Sequence, residues 1–532
     1  MSSVAVKPVG FPAWIKPGLN ITNGRDQLSL ATITINQIMP ILVPGIVALS
    51  RRARYLSLYL FLLEEYHRRG SGTQDQLSTF IKRAEYEYLL AVRHCSRDGC
   101  GPDSTAVIGY FEVQDALDKG PPYRRGESIK GVLGGYAQQY RSLLQAMELV
   151  APKGYVVNGK PLSVDRATTR GAVIAAAFRA QLANTAWYRR YLGHGQAIPV
   201  KVLEELSVQA CLCRLDESPT ESGLLHTSLF GTPDQQSEDQ KARIAAFALS
   251  LEAIDADPKV IDDESCWRRH LWDAGMAAVT RKGVRSQTAA GWAALVGKEL
   301  YQEALAVIWS AVCEWGRAKQ PPDGFTPRDL RAELVKDLCS GGRVLGVKYS
   351  PKEPVRQLAE RLDRELIDVH LEHIRERAWL PPHNAMNGLG LLLVLWQRLP
   401  DLKSMPVDWQ VIGRQRSLFQ LGLLGATDSV GSLADSGTSV ADVFESVTMR
   451  WVVQAHDRVG CDRLPNYIFR FRFVEGRWQF IRTSNTDPLS LGDSRHDAIT
   501  YISQDLGFWN RDGERAKITG QGRALIRGAF GK

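Results

Sequence analysis

Residues whose types and spacing could do chemistry are few in this chain. Cys95 and Cys100, beside His94, form one pair, and Cys211 and Cys213 form another. Two such pairs can complete a zinc site across the chain, because thiolate and imidazole donors suit a tetrahedral ion. Neither spacing matches a finger of known form, and free cysteines are commonly buried as small hydrophobes. No metal and no cofactor are therefore expected. His370-x-x-His373, with Glu365 and Glu372, sits in an Arg-, Asp- and Glu-rich pattern that suits a solvated helix face. Gly297-Lys298 precedes Glu299, where a phosphate-binding loop requires Ser or Thr for its metal ion, so ATPase chemistry is not expected. No G-x-S-x-G elbow occurs, which disfavours an α/β-hydrolase. Metal-dependent nucleases need at least two carboxylates around their ions. Glu333 with Lys336, and Glu445 with His456 and Asp457, are the nearest approaches, and both lie in helical patterns without partner strands. The chain is expected to be non-enzymatic.

Charge points more firmly to a partner. The net charge is +8 over 532 residues, and it is concentrated. Residues 121–200 hold eleven Arg or Lys against three acids, and residues 463–532 hold twelve against seven. The remainder is net acidic. A basic excess gathered into two segments suits a polyanion surface, because phosphate neutralisation supplies most non-specific affinity for nucleic acid. The candidate DNA-binding residues are Arg124, Arg125, Lys153, Lys160, Arg166 and Arg170 in the first segment. In the second they are Arg470, Arg472, Arg495, Arg511, Arg515 and Lys517.

Elements that could position these groups repeat along the chain. Residues 134–179 read as helix, hairpin, helix. Tyr136, Tyr140, Leu143, Leu144 and Met147 have helical spacing, Asn158-Gly159 is a strong hairpin-turn signal, and Thr168-x-x-Gly171 opens an Ala-rich helix. Residues 494–530 repeat the order, with Ile499, Ile502 and Leu506, the turn Asp512-Gly513, the returning Arg515–Ile518 and Thr519-x-x-Gly522. Helix, hairpin, Thr-x-x-Gly, helix resembles the back half of a winged-helix domain. That resemblance implies a groove-entering helix before the hairpin and a hairpin tip on phosphate. A further hairpin alternates around Glu475-Gly476, with Phe469, Phe471, Phe473, Trp478 and Phe480 on one face and Arg470 and Arg472 on the other.

The fold expected is mainly α and multi-domain, with two winged-helix-like units and a small β-hairpin near the C-terminus. Helices are expected from Pro44 to Arg69 and from Gln74 to Arg97, and across 354–377. Residues 288–317, rich in Trp and aliphatic side chains, read as a central core helix. Linkers are expected at Pro219–Glu238, Lys319–Pro327 and Gly425–Ser439. The domains expected are an arm and helical hairpin (1–109), a basic winged-helix-like unit (110–200), a helical middle (201–430) and a closing helix, hairpin and second unit (431–532). Hydrophobic residues make up 44% and charged residues 23%, which is ordinary globular composition. Apolar runs such as Tyr55–Leu63 fall short of the roughly 20 residues that span a bilayer. Residues 1–18 hold no apolar leader stretch, so a cytoplasmic location is expected.

Leu42-Val43-Pro44-Gly45 followed by Arg52-Ala53-Arg54-Tyr55, and Val453-x-x-His456 through Thr519-x-x-Gly522, resemble segments of helical proteins from bacterial anti-phage defence or mobile-element loci. The resemblance implies a subunit of a larger complex and carries no functional residue over. The expected function is a DNA-binding subunit with double-stranded DNA and other protein subunits as partners. The alternatives are a scaffold whose winged helices dock partner subunits, or a divergent nuclease.

Overall fold

A computed structural model describes residues 26–70, 72–97, 100, 107–123, 126, 129, 131–194, 196–278, 283–364, 385–404, 416, 420–464, 469–481, 494–512 and 515–531. The chain is mainly helical, with five two-stranded antiparallel sheets among the described residues. It divides into two compact units, each assembled from separated stretches of sequence. Among the described residues no helix is long and apolar enough to cross a membrane.

One unit comprises Met39–Leu271, Lys282–Ala289 and Asp493–Lys532. Its core is built on helix Arg54–Arg68, buried over almost its whole length, and helix Gln74–Arg93. The second helix starts at a capping box, in which Thr73 and Gln76 satisfy each other's backbone N–H groups. The first helix begins ten residues later than its apolar spacing alone predicts. Tyr55, Tyr59, Tyr88, Tyr136 and Tyr140 form a connected ring cluster between these elements. Arg54 is fully buried beside it. Its guanidinium pairs with Glu221 at 3.0 Å and donates to Gln181 Oε1 and to the Cys211 carbonyl, each at 2.6 Å.

The helix–hairpin–helix order occurs twice in this unit, and the two copies share their hydrogen bonding. In the first, residues Tyr136–Ala146 are helical, with a π-helical first turn at Tyr136–Tyr140. Strands Val150–Ala151 and Val156–Val157 pair with Arg166–Ala167 and Lys160–Pro161. Asn158 and Gly159 both take positive φ, as the mirror-image turn of a two-residue hairpin requires. In the second copy, helix His496–Asp505 leads to Trp509–Asp512 paired with Arg515–Ile518. Thr168 caps helix Thr169–Leu182 by accepting from Gly171 N, and Thr519 caps helix Gly520–Phe530 by accepting from Gly522 N. Thr168 N donates to the Leu149 carbonyl, and Thr519 N donates to the Phe508 carbonyl. A Cβ at Gly171 would lie 2.2 Å from Leu149 O, and one at Gly522 would lie 2.2 Å from Phe508 O. Only glycine permits that approach.

The other unit comprises Met1–Ile38, Trp272–Arg281 and Ala290–Gly492. Residues 290–319 of helix Val284–Lys319 bury Trp292, Leu300, Trp309 and Trp315, as their density predicts. Hairpin Phe471–Val474/Arg477–Phe480 turns at Glu475 and Gly476, both at positive φ. Phe471, Trp478 and Phe480 face the core, whereas Phe473 stays exposed near the turn.

Two expected linkers are helical. Pro219–Phe230 is a helix because Pro219 occupies its first turn, where a missing N–H costs nothing. Leu423–Asp435 is a helix despite its Gly, Ser and Thr content. Its small residues fit a close contact, with Gly431 lying against Trp396. The helix expected across 354–377 is described only as Val355–Arg361.

Candidate nucleic-acid interface

The first hairpin is held at its base by one buried carboxylate. Asp165 accepts hydrogen bonds from Tyr136 Oη (2.7 Å), from Arg141 Nε and Nη2 (2.6 and 2.9 Å) and from Lys153 N (2.7 Å). Burial alone would raise the Asp165 carboxyl, but the bonds from Arg141, Lys153 N and Tyr136 outweigh it and hold the group below the ordinary carboxylate range. The Tyr136 hydroxyl is pushed well up, first by burial and then by the neighbouring Asp165 charge.

This has an electrostatic consequence. Between Val150 and Arg170 the only acidic residue is Asp165, and it is turned inward. Lys153, Lys160, Arg166 and Arg170 are all exposed, so the outer surface of this hairpin and cap carries only positive charge. Arg170 lies 3.6 Å from Glu148, but both are exposed, and such pairs are worth little. Tyr155, Val156 and Val157 are exposed on the same hairpin.

In the second copy Lys517 is exposed opposite Asn510. Arg515 pairs in register with Asp512. Arg511 is exposed but ion-paired with Asp262 at 2.6 Å, and it lies on the strand face of the buried Trp509 rather than on that of Lys517. Arg523 and Arg527, one turn apart on the closing helix, are exposed and add positive charge that sequence reasoning passed over, although their i, i+4 spacing was visible.

Several candidates do not join this surface. Arg495 is 4% exposed and Arg470 is 7% exposed. Both residues are therefore turned from solvent. Arg470 N donates to His456 Nε2 at 3.1 Å, at the core edge of its hairpin. Arg472 is half-buried opposite Gln479. Arg124 and Arg125 lie outside the described residues. The helix before the second hairpin, His496–Asp505, buries most of its length, and Asp505 pairs with Arg52 at 2.7 Å. It offers no face for a DNA groove. The helix before the first hairpin exposes Gln138, Ser142 and Ala146, and its one charged residue, Arg141, is half-buried and bound to Asp165.

The nuclease candidates do not converge. His456 is buried against Trp309 and Phe471, and burial drives its imidazole down to about 3. Asp457 accepts from Phe473 N, while Glu445 lies 3.7 Å from Arg331. Lys298 donates to Leu30 O, Thr34 Oγ1 and Gln302 Oε1, each at 2.6 Å, and so serves as a buried structural cation. Glu365, His370, Glu372 and His373 lie outside the described residues. Cys95, Cys100, Cys211 and Cys213, by contrast, come together with all four Sγ atoms within 4.8 Å of one another. The grouping across the chain that the sequence allowed is therefore present, with three of the four free thiols buried. The pairs meet because the helices they follow, Gln74–Arg93 and Val200–Ala210, pack against each other.

No protein family, curated protein or solved structure matches the chain.

Proposed function

We propose that the chain is a non-enzymatic DNA-binding subunit of a larger bacterial complex, of the defence or mobile-element kind its sequence resembles. It grips duplex DNA through phosphates rather than base edges. The observation that carries this reading is the all-positive outer surface of the first hairpin, created by folding Asp165 inward against Arg141. The second copy supports it with Lys517, Arg523 and Arg527 exposed. In a winged-helix-like arrangement of this kind the hairpins, and not the packed helices before them, meet the DNA. Phosphate contacts position a protein without reading sequence.

Replacing Lys153, Lys160, Arg166 and Arg170 together with alanine tests the reading. Four lost phosphate contacts should flatten the slope of log affinity against log salt by about 3.6, and weaken unrelated duplexes equally. Fluorescence anisotropy with two labelled duplexes between 50 and 200 mM salt measures both. An unchanged slope would remove the first hairpin from the interface.

Docking of a partner subunit is the second reading, favoured by the exposed Tyr155, Val156 and Val157. The triple variant Arg511→Ala, Arg515→Ala, Lys517→Ala separates the two at the other hairpin. Loss of DNA affinity with the complex intact supports DNA binding. Loss of the complex with DNA affinity intact supports docking.

A further inference from the structure

Cys95 and Cys100 follow the C-terminal end of helix Gln74–Arg93, and Cys211 and Cys213 lie where helix Val200–Ala210 passes into the 3-10 turn Leu212–Glu217. Cys95, Cys100 and Cys211 are buried, and Cys213 is half-buried. The Sγ–Sγ distance is 3.7 Å for Cys95–Cys213 and 3.5 Å for Cys100–Cys211. A disulfide would require about 2.05 Å, so these sulfurs are in contact but not bonded. Four thiolates at about 2.3 Å from one tetrahedral ion are about 3.8 Å apart along each edge. The observed separations fit that tetrahedron. An iron–sulfur cluster would insert its own core between the thiolates and spread them wider.

The surroundings suit an anionic centre. A divalent ion with four thiolates carries two negative charges. Arg97 donates to the Cys213 carbonyl at 2.6 Å and Arg54 to the Cys211 carbonyl at 2.6 Å. Arg52 lies within electrostatic reach of Cys100 and Cys211, and Arg214 lies within reach of Cys95.

We propose that Cys95, Cys100, Cys211 and Cys213 bind one zinc ion as a tetrathiolate centre. Four S–H protons leave as four Zn–S bonds form, with no change of oxidation state. With every position taken by protein the ion has no open site for substrate, so its role is structural. It ties two helix ends together beside Arg54, which reaches Gln181 on the closing helix of the first helix–hairpin–helix copy. The metal therefore braces the body from which the first hairpin projects.

Full-length protein, expressed without a metal-binding tag, should contain one zinc per chain by elemental analysis. Cys95→Ser and Cys211→Ser should lose it. Cys266→Ala should keep it, since Asp257, Cys266 and His270 offer only three half-buried donors. Should either serine variant fail to fold, wild-type protein stripped with a mercurial and titrated with cobalt decides the matter. One equivalent should give the visible bands and near-ultraviolet charge transfer of tetrahedral cobalt thiolate. Metal-free protein that takes up no cobalt would overturn the proposal. So would full zinc content in folded Cys211→Ser, or one iron per chain in place of zinc.

Discussion

Replacing Asp165 with asparagine should loosen the first hairpin at its root, and the size of the effect follows from what the carboxylate holds. Four donors converge on it: the Tyr136 hydroxyl, two from the Arg141 guanidinium and Lys153 N. Hydrogen bonds to a charged group are worth about 1.5–3 kcal/mol each, but bonds sharing one acceptor do not add. Arg141 is 36% exposed and regains water when released, so its share is discounted. Asparagine keeps one acceptor oxygen and presents an NH2 to the remaining donors, leaving a net loss of about 3 kcal/mol. For a unit of this size that corresponds to roughly 6 °C in the transition of the unit containing it, measurable by scanning calorimetry. The loss should also depend on pH. The folded Asp165 carboxyl lies below its unfolded value of about 3.9. Its stabilisation is therefore complete above about pH 5 and disappears as pH falls through the folded value. The gap between wild type and Asp165→Asn should be flat from pH 7 to 5 and narrow below pH 4. A gap under 1 °C at neutral pH, or one undiminished at pH 3, would refute the reasoning.

Arg54→Ala should cost about 3–5 kcal/mol, because it leaves the buried Glu221 charge without its partner. The double variant Arg54→Met, Glu221→Met should recover most of that loss in the same calorimetric transition, and no recovery would mean that the guanidinium's bonds to Gln181 and Cys211 O dominate. Gly522→Ala should destabilise by about 3 kcal/mol, since its Cβ meets the Phe508 carbonyl at 2.2 Å and that oxygen already accepts from Thr519 N. Gly171→Ala should match it, and a melting temperature within 1 °C of wild type for either would contradict the shared geometry of the two copies.

Local features were legible in the sequence and long-range ones were not. Asn158-Gly159 and Glu475-Gly476 announce hairpins because each turn needs positive φ at both residues, a demand met within a few residues. Thr168 and Thr519 announce helix starts for the same reason, each capping the N–H three positions on. The Trp-rich helix was visible because its burial is nearly complete around its circumference. The cysteine pairs were visible, but their meeting was not. Cys100 and Cys211 are 111 positions apart, and neither short spacing means anything until the packing of two helices brings the pairs together. Burial of Arg470 and Arg495 was equally hidden, because charge counting cannot tell a solvated guanidinium from one folded into the core. The same blindness explains the helix at Leu423–Asp435, where a Ser- and Gly-rich stretch folds against Trp396 against its own propensity.

What the two copies share and where they part separates holding the fold from using it. Leu149 and Phe508 each offer a carbonyl to the capping threonine's N–H, and the residue before each takes positive φ (Glu148 in one, Gly507 in the other). Their own N–H groups reach back five residues, Leu149 to Leu144 O and Phe508 to Ser503 O. The repeated bonds all lie where the chain leaves one helix and enters the next. The hairpins between them differ: Val150–Ala167 is longer than Trp509–Ile518, with two short ladders in place of one. A tightly determined junction fixes the base of a hairpin while leaving its length and surface charge free to vary. Because both copies belong to one compact unit, a duplex that reached both hairpins would be held at two points of one body, and two weak phosphate grips would then reinforce each other without any new bond. The proposed function therefore places the chemistry on the variable hairpins and leaves the helices and their caps to hold them, which is why burying the helix before the second hairpin costs the proposed grip nothing.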